Sequence, residues 1–299
     1  MSERASFADY RERLAALGFH PSRRLGQNFL LEPDLHRVIA DAAAVCADDV
    51  VLEIGAGLGF LTRELVPRAR RVVAVEIDAR LCSVLREDLA ALPGGERVEV
   101  LHMDVLAGAG ELAPAVVDAM REARGPVKVV ANLPYAVTGP VLAALCRAPT
   151  LPARAAVLVQ LEVAERLCAR PKTAEYGSLT ALVQACFAVR LVRRVGREVF
   201  RPRPNVDSAI VEFAADAARP AASWGIAERR SFAVFVRALF AARRKKLRHG
   251  LRLAAAAVGA ADLTLAPPVP GPGDLMDCRP GDLDLPTLTA LWRAVRPQP

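Results

Sequence analysis

Through the first two-thirds of the chain, short β-branched runs alternate with stretches whose apolar residues recur at helical spacing, the pattern of parallel βαβ units. The runs predict strands at 50–54, 71–77, 98–103, 127–131, 155–160, 191–196 and 209–213. Helices are predicted between them at 60–66, 79–91, 139–147 and 179–188. Only a Pro-rich loop separates the last two strands, which makes that pair antiparallel in this reading. After residue 213 the strand signal stops. Residues 226–255 read as helix, 267–273 as a Pro/Gly-rich break, and 285–294 as a final helix. The pattern predicts an α/β, doubly wound sheet followed by a small helical domain.

Composition changes this picture little. The 299 residues are 53% hydrophobic, which excludes a disordered or collagen-like chain. No apolar run approaches the roughly 18 residues of a membrane span. The first 30 residues hold three acids and no apolar block of signal-peptide length, so the expectation is a cytoplasmic protein without a membrane partner. The six cysteines and four histidines stand singly, with no CxxC pair and no Cys/His cluster, and no metal site is expected.

Charge says more once it is divided. The net +7 is not spread evenly: residues 1–215 carry 27 basic and 26 acidic side chains, residues 216–299 carry 13 and 7. Within the second part, residues 229–252 hold nine basic residues and no acid. Segregated positive charge is the electrostatic footprint of a polyanion-binding surface. The competing explanation is a solvated helix face in an arginine-rich chain.

The residues that carry chemistry lie at the ends of the predicted strands. The first strand runs into Glu53-Ile54-Gly55-Ala56-Gly57-Leu58-Gly59, a turn whose glycines allow close backbone approach to a ligand and which opens a helix with free amide donors. The second strand ends at Glu76, about 20 residues on, where a carboxylate can accept hydrogen bonds from ribose hydroxyls. The GxGxG spacing favours S-adenosylmethionine over a dinucleotide. Asp104, closing the third strand, is placed to accept from an adenine amino group; its alternative is a helix N-cap. The fourth strand ends in Asn132-Leu133-Pro134-Tyr135. Methylating an exocyclic amine is hard because the lone pair is delocalised into the ring. An Asn side-chain oxygen and a backbone carbonyl that accept both N–H bonds turn that lone pair toward the methyl group. Tyr135 can stack on an extruded base, and Pro134 stiffens the turn before substrate arrives.

Together these residues make the chain resemble the small-subunit rRNA adenine dimethyltransferases of the RsmA/KsgA type, whose fold is a class I (Rossmann-like) methyltransferase sheet with a small C-terminal helical domain. The resemblance covers almost the whole chain. It includes Leu25-Gly26-Gln27-Asn28-Phe29-Leu30, Gln160–Leu167, Tyr176-Gly177-Ser178-Leu179, the segment Val199-Phe200-Arg201-Pro202-Arg203-Pro204-Asn205-Val206-Asp207-Ser208-Ala209, and Arg243-Arg244-Lys245-Lys246-Leu247. It implies cofactor contacts from Asn28, Leu30, Gly55, Gly57, Glu76, Asp104 and Asn132. It implies an amine-acceptor and stacking site at Asn132, Leu133 and Tyr135, with Phe200 as a second aromatic sandwiching the base; from the residue alone, Phe200 reads equally well as core. It implies RNA binding by Arg243, Arg244, Lys245, Lys246 and Arg248. The domains expected are a covering segment at 1–30, a methyltransferase domain at 31–215 and a helical RNA-binding domain at 216–299.

The substrate implied is a pair of adjacent adenosines in the 3′-terminal hairpin of 16S rRNA in the small ribosomal subunit, each dimethylated on N6 by a monomeric enzyme. The chain departs from the family at Ala136-Val137-Thr138-Gly139, where Asn-Ile-Ser-Thr is usual, and at Ala56, where Pro is common. Two other readings compete: methylation of a large-subunit rRNA adenosine in the manner of the Erm methylases, and a ribosome-assembly factor acting mainly by binding. The Erm methylases usually read Asn-Ile-Pro-Tyr or -Phe and lack the basic pattern at 243–246.

Overall fold

The computed structural model describes residues 7–16, 18–21, 26–260 and 275–296. Leu25 and the predicted break at 267–273 lie outside the described residues, as does part of the 1–30 segment. The central sheet has seven strands: β1 (Val50–Ile54), β2 (Arg71–Glu76), β3 (Val98–His102), β4 (Val127–Asn132), β5 (Arg154–Gln160), β6 (Phe187–Val195) and β7 (Ser208–Ala215). Their order across the sheet is β3-β2-β1-β4-β5-β7-β6. The pairs β3/β2, β2/β1, β1/β4 and β4/β5 are parallel. Each predicted strand is present, with ends shifted by up to four residues. The largest shift is in β6, which begins at Phe187 and shortens the preceding helix to Ser178–Cys186.

All of β1 is buried, as are five of six residues in β2 and in β4, which is why these segments read as unbroken apolar runs. Parallel register sets Ile54 beside Val75, Glu76 beside His102 and Asn132 beside Leu158, so the carboxyl ends of the central strands form one edge. The strand order reverses between β1 and β4. Ligands in open α/β sheets bind outside the carboxyl ends at such a switch point. A two-stranded antiparallel ribbon, Phe29–Leu30 against Phe200–Arg201, pairs the N-terminal segment with the loop between β6 and β7.

The chain divides into two compact units, and the division is not a single cut at residue 215. The first unit comprises residues 1–141, 152–161 and 191–213; the second comprises 142–151, 162–190 and 214–299. In the second unit the stretch predicted as one helix over 226–255 is two, Ile226–Ala241 and Leu247–Ala257, interrupted at the basic run 242–246. Glu228 accepts from Gly225 N at the start of the first. Asp284 accepts from Thr287 N at the start of the final helix Leu285–Val295, an N-cap that satisfies an otherwise orphan donor. Trp292 Nε1 donates to Ser231 Oγ at 3.1 Å, and its ring packs tilted against Trp224 and edge-to-face with Phe232, which ties that helix to Ile226–Ala241.

Candidate active site

A cavity of about 180 Å³ opens at the carboxyl ends of β1, β2 and β4. Its wall contains Asn28, Leu30, Gly55, Gly57, Glu76, Asp104, Asn132, Leu133 and Tyr135, all of the predicted cofactor and acceptor residues except Phe200. Five segments well separated in sequence thus meet around one space, all within the first unit.

The glycine turn after β1 needs its glycines. Gly55, Gly57 and Gly59 have φ of +74°, +56° and +73°, the left-handed region that L side chains rarely adopt. A Cβ on Gly59 would also sit 2.4 Å from Leu85 Cδ1, so the buried Leu85 side chain would have to shift. The turn presents Gly57 N to Glu76, whose Oε2 accepts it at 2.9 Å. Glu76 Oε1 accepts from Ile77 N and Asp78 N, both at 2.9 Å. Burial pushes the Glu76 carboxyl above its ordinary value, while these three backbone donors favour the anion. Asp104 is exposed on the cavity rim, and its Oδ1 accepts from Leu106 N at 2.9 Å. That bond braces a turn into the short strand Leu106–Ala107 and is not the helix N-cap considered from the sequence.

The acceptor turn is held from two sides. Asn132 Nδ2 donates to Asn28 O at 3.1 Å, which leaves Oδ1 as the acceptor at the cavity wall. Leu133 N donates to Leu158 O on β5, and the Leu133 side chain is buried. Val137 N and Thr138 Oγ1 both donate to Pro134 O, at 3.1 and 3.2 Å, so the unusual Ala136–Gly139 sequence still closes the turn. Tyr135 OH lies 2.7 Å from the buried Ser208 Oγ, and burial raises its phenol above the ordinary value. Gly26, at φ +64°, lets the N-terminal segment cross here: a Cβ on it would stand 3.1 Å from Tyr135 N.

Three placements differ from the residue-by-residue expectation. Asn28 meets Asn132 through its backbone carbonyl, and its own side chain donates to Gly26 O. Phe200 does not line the cavity. It is wholly buried, pairs with Leu30 in the ribbon, and packs in the core with Leu35, Ile39 and Ile210; the aromatic ring is used for packing between helix and sheet. Among the basic residues of the second unit, Lys246 and Arg248 both pair with Asp277, and Arg243 Nη2 donates to Ala174 O. Arg244 and Lys245 are exposed with no ion-pair partner among the described residues.

Sequence reasoning passed over Glu53. It lines the cavity at 1% exposure, its Oε2 has no hydrogen-bond partner among the described residues, and burial together with nearby Glu76 pushes its carboxyl up to about 8. The signal was a single acid in an otherwise apolar central strand. Ser208 was likewise visible only as part of a longer motif.

The cavity suits an adenosyl-type group carrying an amino acid. The glycine turn contributes bare backbone to the wall, Glu76 contributes a carboxylate of the kind that accepts from ribose hydroxyls, and Ile77, 43% exposed, offers an apolar face. The family model for ribosomal RNA adenine dimethylase matches residues 18–262. The chain is 42% identical over 242 residues to a ribosomal RNA small subunit methyltransferase A of Geobacillus thermodenitrificans, covering 81% of this chain and 79% of that one. It is 42% identical over 262 residues to the protein of that name from Thermobifida fusca, covering 86% of each. Among solved structures it resembles a dimethyladenosine transferase from Plasmodium falciparum, with a TM-score of 0.67 and 26% identity over 87% of this chain and 94% of that one. It also resembles the 23S rRNA methyltransferase ErmE, with a TM-score of 0.57 and 28% identity over 89% and 99%. With a class I methyltransferase sheet, a glycine turn answered by Glu76 and an Asn-Leu-Pro-Tyr acceptor turn, the chain belongs to the ribosomal RNA adenine dimethylase family.

Proposed function

We propose that this protein dimethylates N6 of two adjacent adenosines in the 3′-terminal hairpin of 16S rRNA in the small ribosomal subunit, with S-adenosylmethionine as methyl donor. The observation that carries the reading is the Asn132 amide. Its nitrogen is engaged by Asn28 O, so its oxygen stands at the wall of a cavity that the Gly55–Gly57 turn and Glu76 also line. When bound, S-adenosylmethionine supplies a methyl group on a sulfonium that departs without assistance, so no strong base is demanded of the protein.

The chain's own residues then have three tasks. Gly55, Gly57 and Glu76 hold the donor, with Asn28, Leu30 and Asp104 closing the cavity around it. In the first transfer Asn132 Oδ1 and the Leu133 carbonyl accept the two N–H bonds of adenine N6, and in the second the single N–H left on the monomethylated nitrogen is accepted by one of them, each time directing the lone pair along the line of attack. Tyr135 supports the extruded base by stacking, its ring steadied through Ser208. The proton released from N6 passes to solvent after transfer. Holding these groups in place before the base enters is where such a site gains rate. Phe200 serves from behind, by fixing the ribbon that carries Asn28 and Leu30.

Arg244 and Lys245, with Arg243, Lys246 and Arg248 around them, supply a phosphate-binding surface in the second unit. The test is methyl transfer to small subunits that lack the modification, with the product nucleosides mapped by mass spectrometry. N6,N6-dimethyladenosine at two neighbouring positions near the 16S 3′ end is the expected result. Methylation of large-subunit RNA instead would assign the activity suggested by the ErmE likeness.

A further inference from the structure

Outside the basic run of the second unit, the chain has another concentration of positive charge. Residues 190–204 contain Arg190, Arg193, Arg194, Arg197, Arg201 and Arg203 against one acid, Glu198. From residue 191 onward this segment lies in the first unit, where it forms the end of β6, an edge strand of the sheet, and the loop that follows. The side chains of Arg193, Arg197, Arg201 and Arg203 are all exposed.

Charge on an edge strand can serve only to block strand-to-strand aggregation. Here the charges run past the strand onto the loop that follows, where Arg197 and Arg203 lie outside any strand. That loop is fastened to the cavity. Arg201 pairs with Phe29 and Phe200 with Leu30, both cavity residues, and Ser208 at the loop's far end bonds Tyr135. The loop is also braced from within: Arg197 N donates to Asp207 Oδ1, Arg197 Nη1 to Asn205 O, and Arg201 Nη1 to the carbonyls of Glu198 and Phe200. These arginines are bound to neutral carbonyls, so their charge is left for an outside anion. Arg193 and Arg203 make no ion pair among the described residues.

We infer that Arg193, Arg201 and Arg203 form a phosphate-binding track on the first unit that holds the RNA backbone flanking the adenosine in the cavity. The inference rests on the reading that the target is RNA and adds the surface that delivers it to the acceptor turn. An adenosine leaving its stack needs its neighbouring phosphates gripped close to the exit point, and a fixed arginine loop beside Phe29 and Tyr135 provides that grip.

The experiment compares the full-length protein with R193Q/R201Q/R203Q and with R193K/R201K/R203K. A labelled 12-nucleotide oligoadenylate is bound across a salt series, and S-adenosylmethionine affinity is measured by calorimetry. The Gln variant is expected to bind oligoadenylate roughly tenfold more weakly at low salt, with a salt slope smaller by about 2, since each single-strand phosphate contact contributes about 0.7. Its cofactor affinity stays at the parent value, and the Lys variant keeps most of the slope because it keeps the charge. An unchanged slope in the Gln variant overturns the track. So does an equal loss in the Lys variant, or weakened binding to whole subunits with oligoadenylate binding intact, which would make the partner a protein. If the parent protein methylates no rRNA but the slope still falls, the track stands and the target assignment is what has failed.

Discussion

In the cofactor half of the cavity, Glu76 is held by backbone N–H groups of its own turn and of a glycine turn 19 residues before it. In the acceptor half, Asn132 leans on the Asn28 carbonyl, 104 residues away, and Tyr135 on Ser208, 73 residues away. The Gly57–Glu76 contact is the local product of β1, β2 and the connection between them. The acceptor half is complete only when the N-terminal segment and the start of β7 are both in place. On the proposed reading, donor binding is expected to survive damage to the Asn132–Tyr135 turn better than methyl transfer, which depends on both halves at once.

The sharpest way to separate the halves is Asn132→Ala. Removing one preorganised polar group from a site of this kind costs about 100-fold or more in kcat. Single-turnover methylation should fall by that amount while S-adenosylmethionine affinity, measured by calorimetry, changes only a few-fold. An equal loss of both would merge the two halves into one. Glu76→Gln works from the other side. It exchanges a charged acceptor for a neutral one against three backbone donors and any ribose hydroxyl, so donor affinity should drop by about tenfold or more, with hydrogen bonds to charged groups contributing about 1.5–3 kcal/mol. The rate at saturating donor should fall much less.

Glu53→Gln tests the buried acid that both halves share. Burial pushes its carboxyl from an ordinary value of 4.5 up to about 8 in the folded chain, so the folded state is expected to hold the extra proton between those limits. The stability this proton provides is fully present below pH 4.5 and is lost as pH rises toward about 8. The parent protein should accordingly lose stability to urea between pH 5 and pH 8.5 by more than the Gln variant, which mimics the protonated acid throughout. Parallel curves would remove Glu53 from the account. The smallest effect belongs to Tyr135→Phe, which loses the bond to Ser208, worth about 1 kcal/mol of stability, and keeps the ring for stacking. Its methylation rate should stay within about fivefold of the parent, whereas Tyr135→Ala should lose far more.

The cavity-lining residues at the strand ends were legible in the sequence because they stand at fixed offsets: the glycines follow β1, Glu76 closes β2, Asp104 follows β3 and Asn132 closes β4. The rest depended on contacts between distant segments. Nothing in Asn28 as a residue type announces that its backbone oxygen, and not its side chain, meets Asn132. Phe200 looked available for a base until the ribbon with Leu30 turned it into the core. The basic run at 243–248 was plain as charge, but its partial neutralisation by Asp277, 31 and 29 residues beyond Lys246 and Arg248, was not. The same run breaks the helix predicted through 226–255 without a proline or glycine to mark the place.

The central claim is that Asn132 and Glu76 serve one reaction, methyl transfer from S-adenosylmethionine to adenine N6 of small-subunit rRNA. The most direct measurement is transfer of labelled methyl groups to unmodified small subunits by the parent protein and by Asn132→Ala, with nucleosides mapped by mass spectrometry. The account predicts two N6,N6-dimethyladenosines near the 16S 3′ end with the parent protein, and near-complete loss of label with the variant at saturating donor. Label at another position, or label that survives the loss of Asn132, would contradict it.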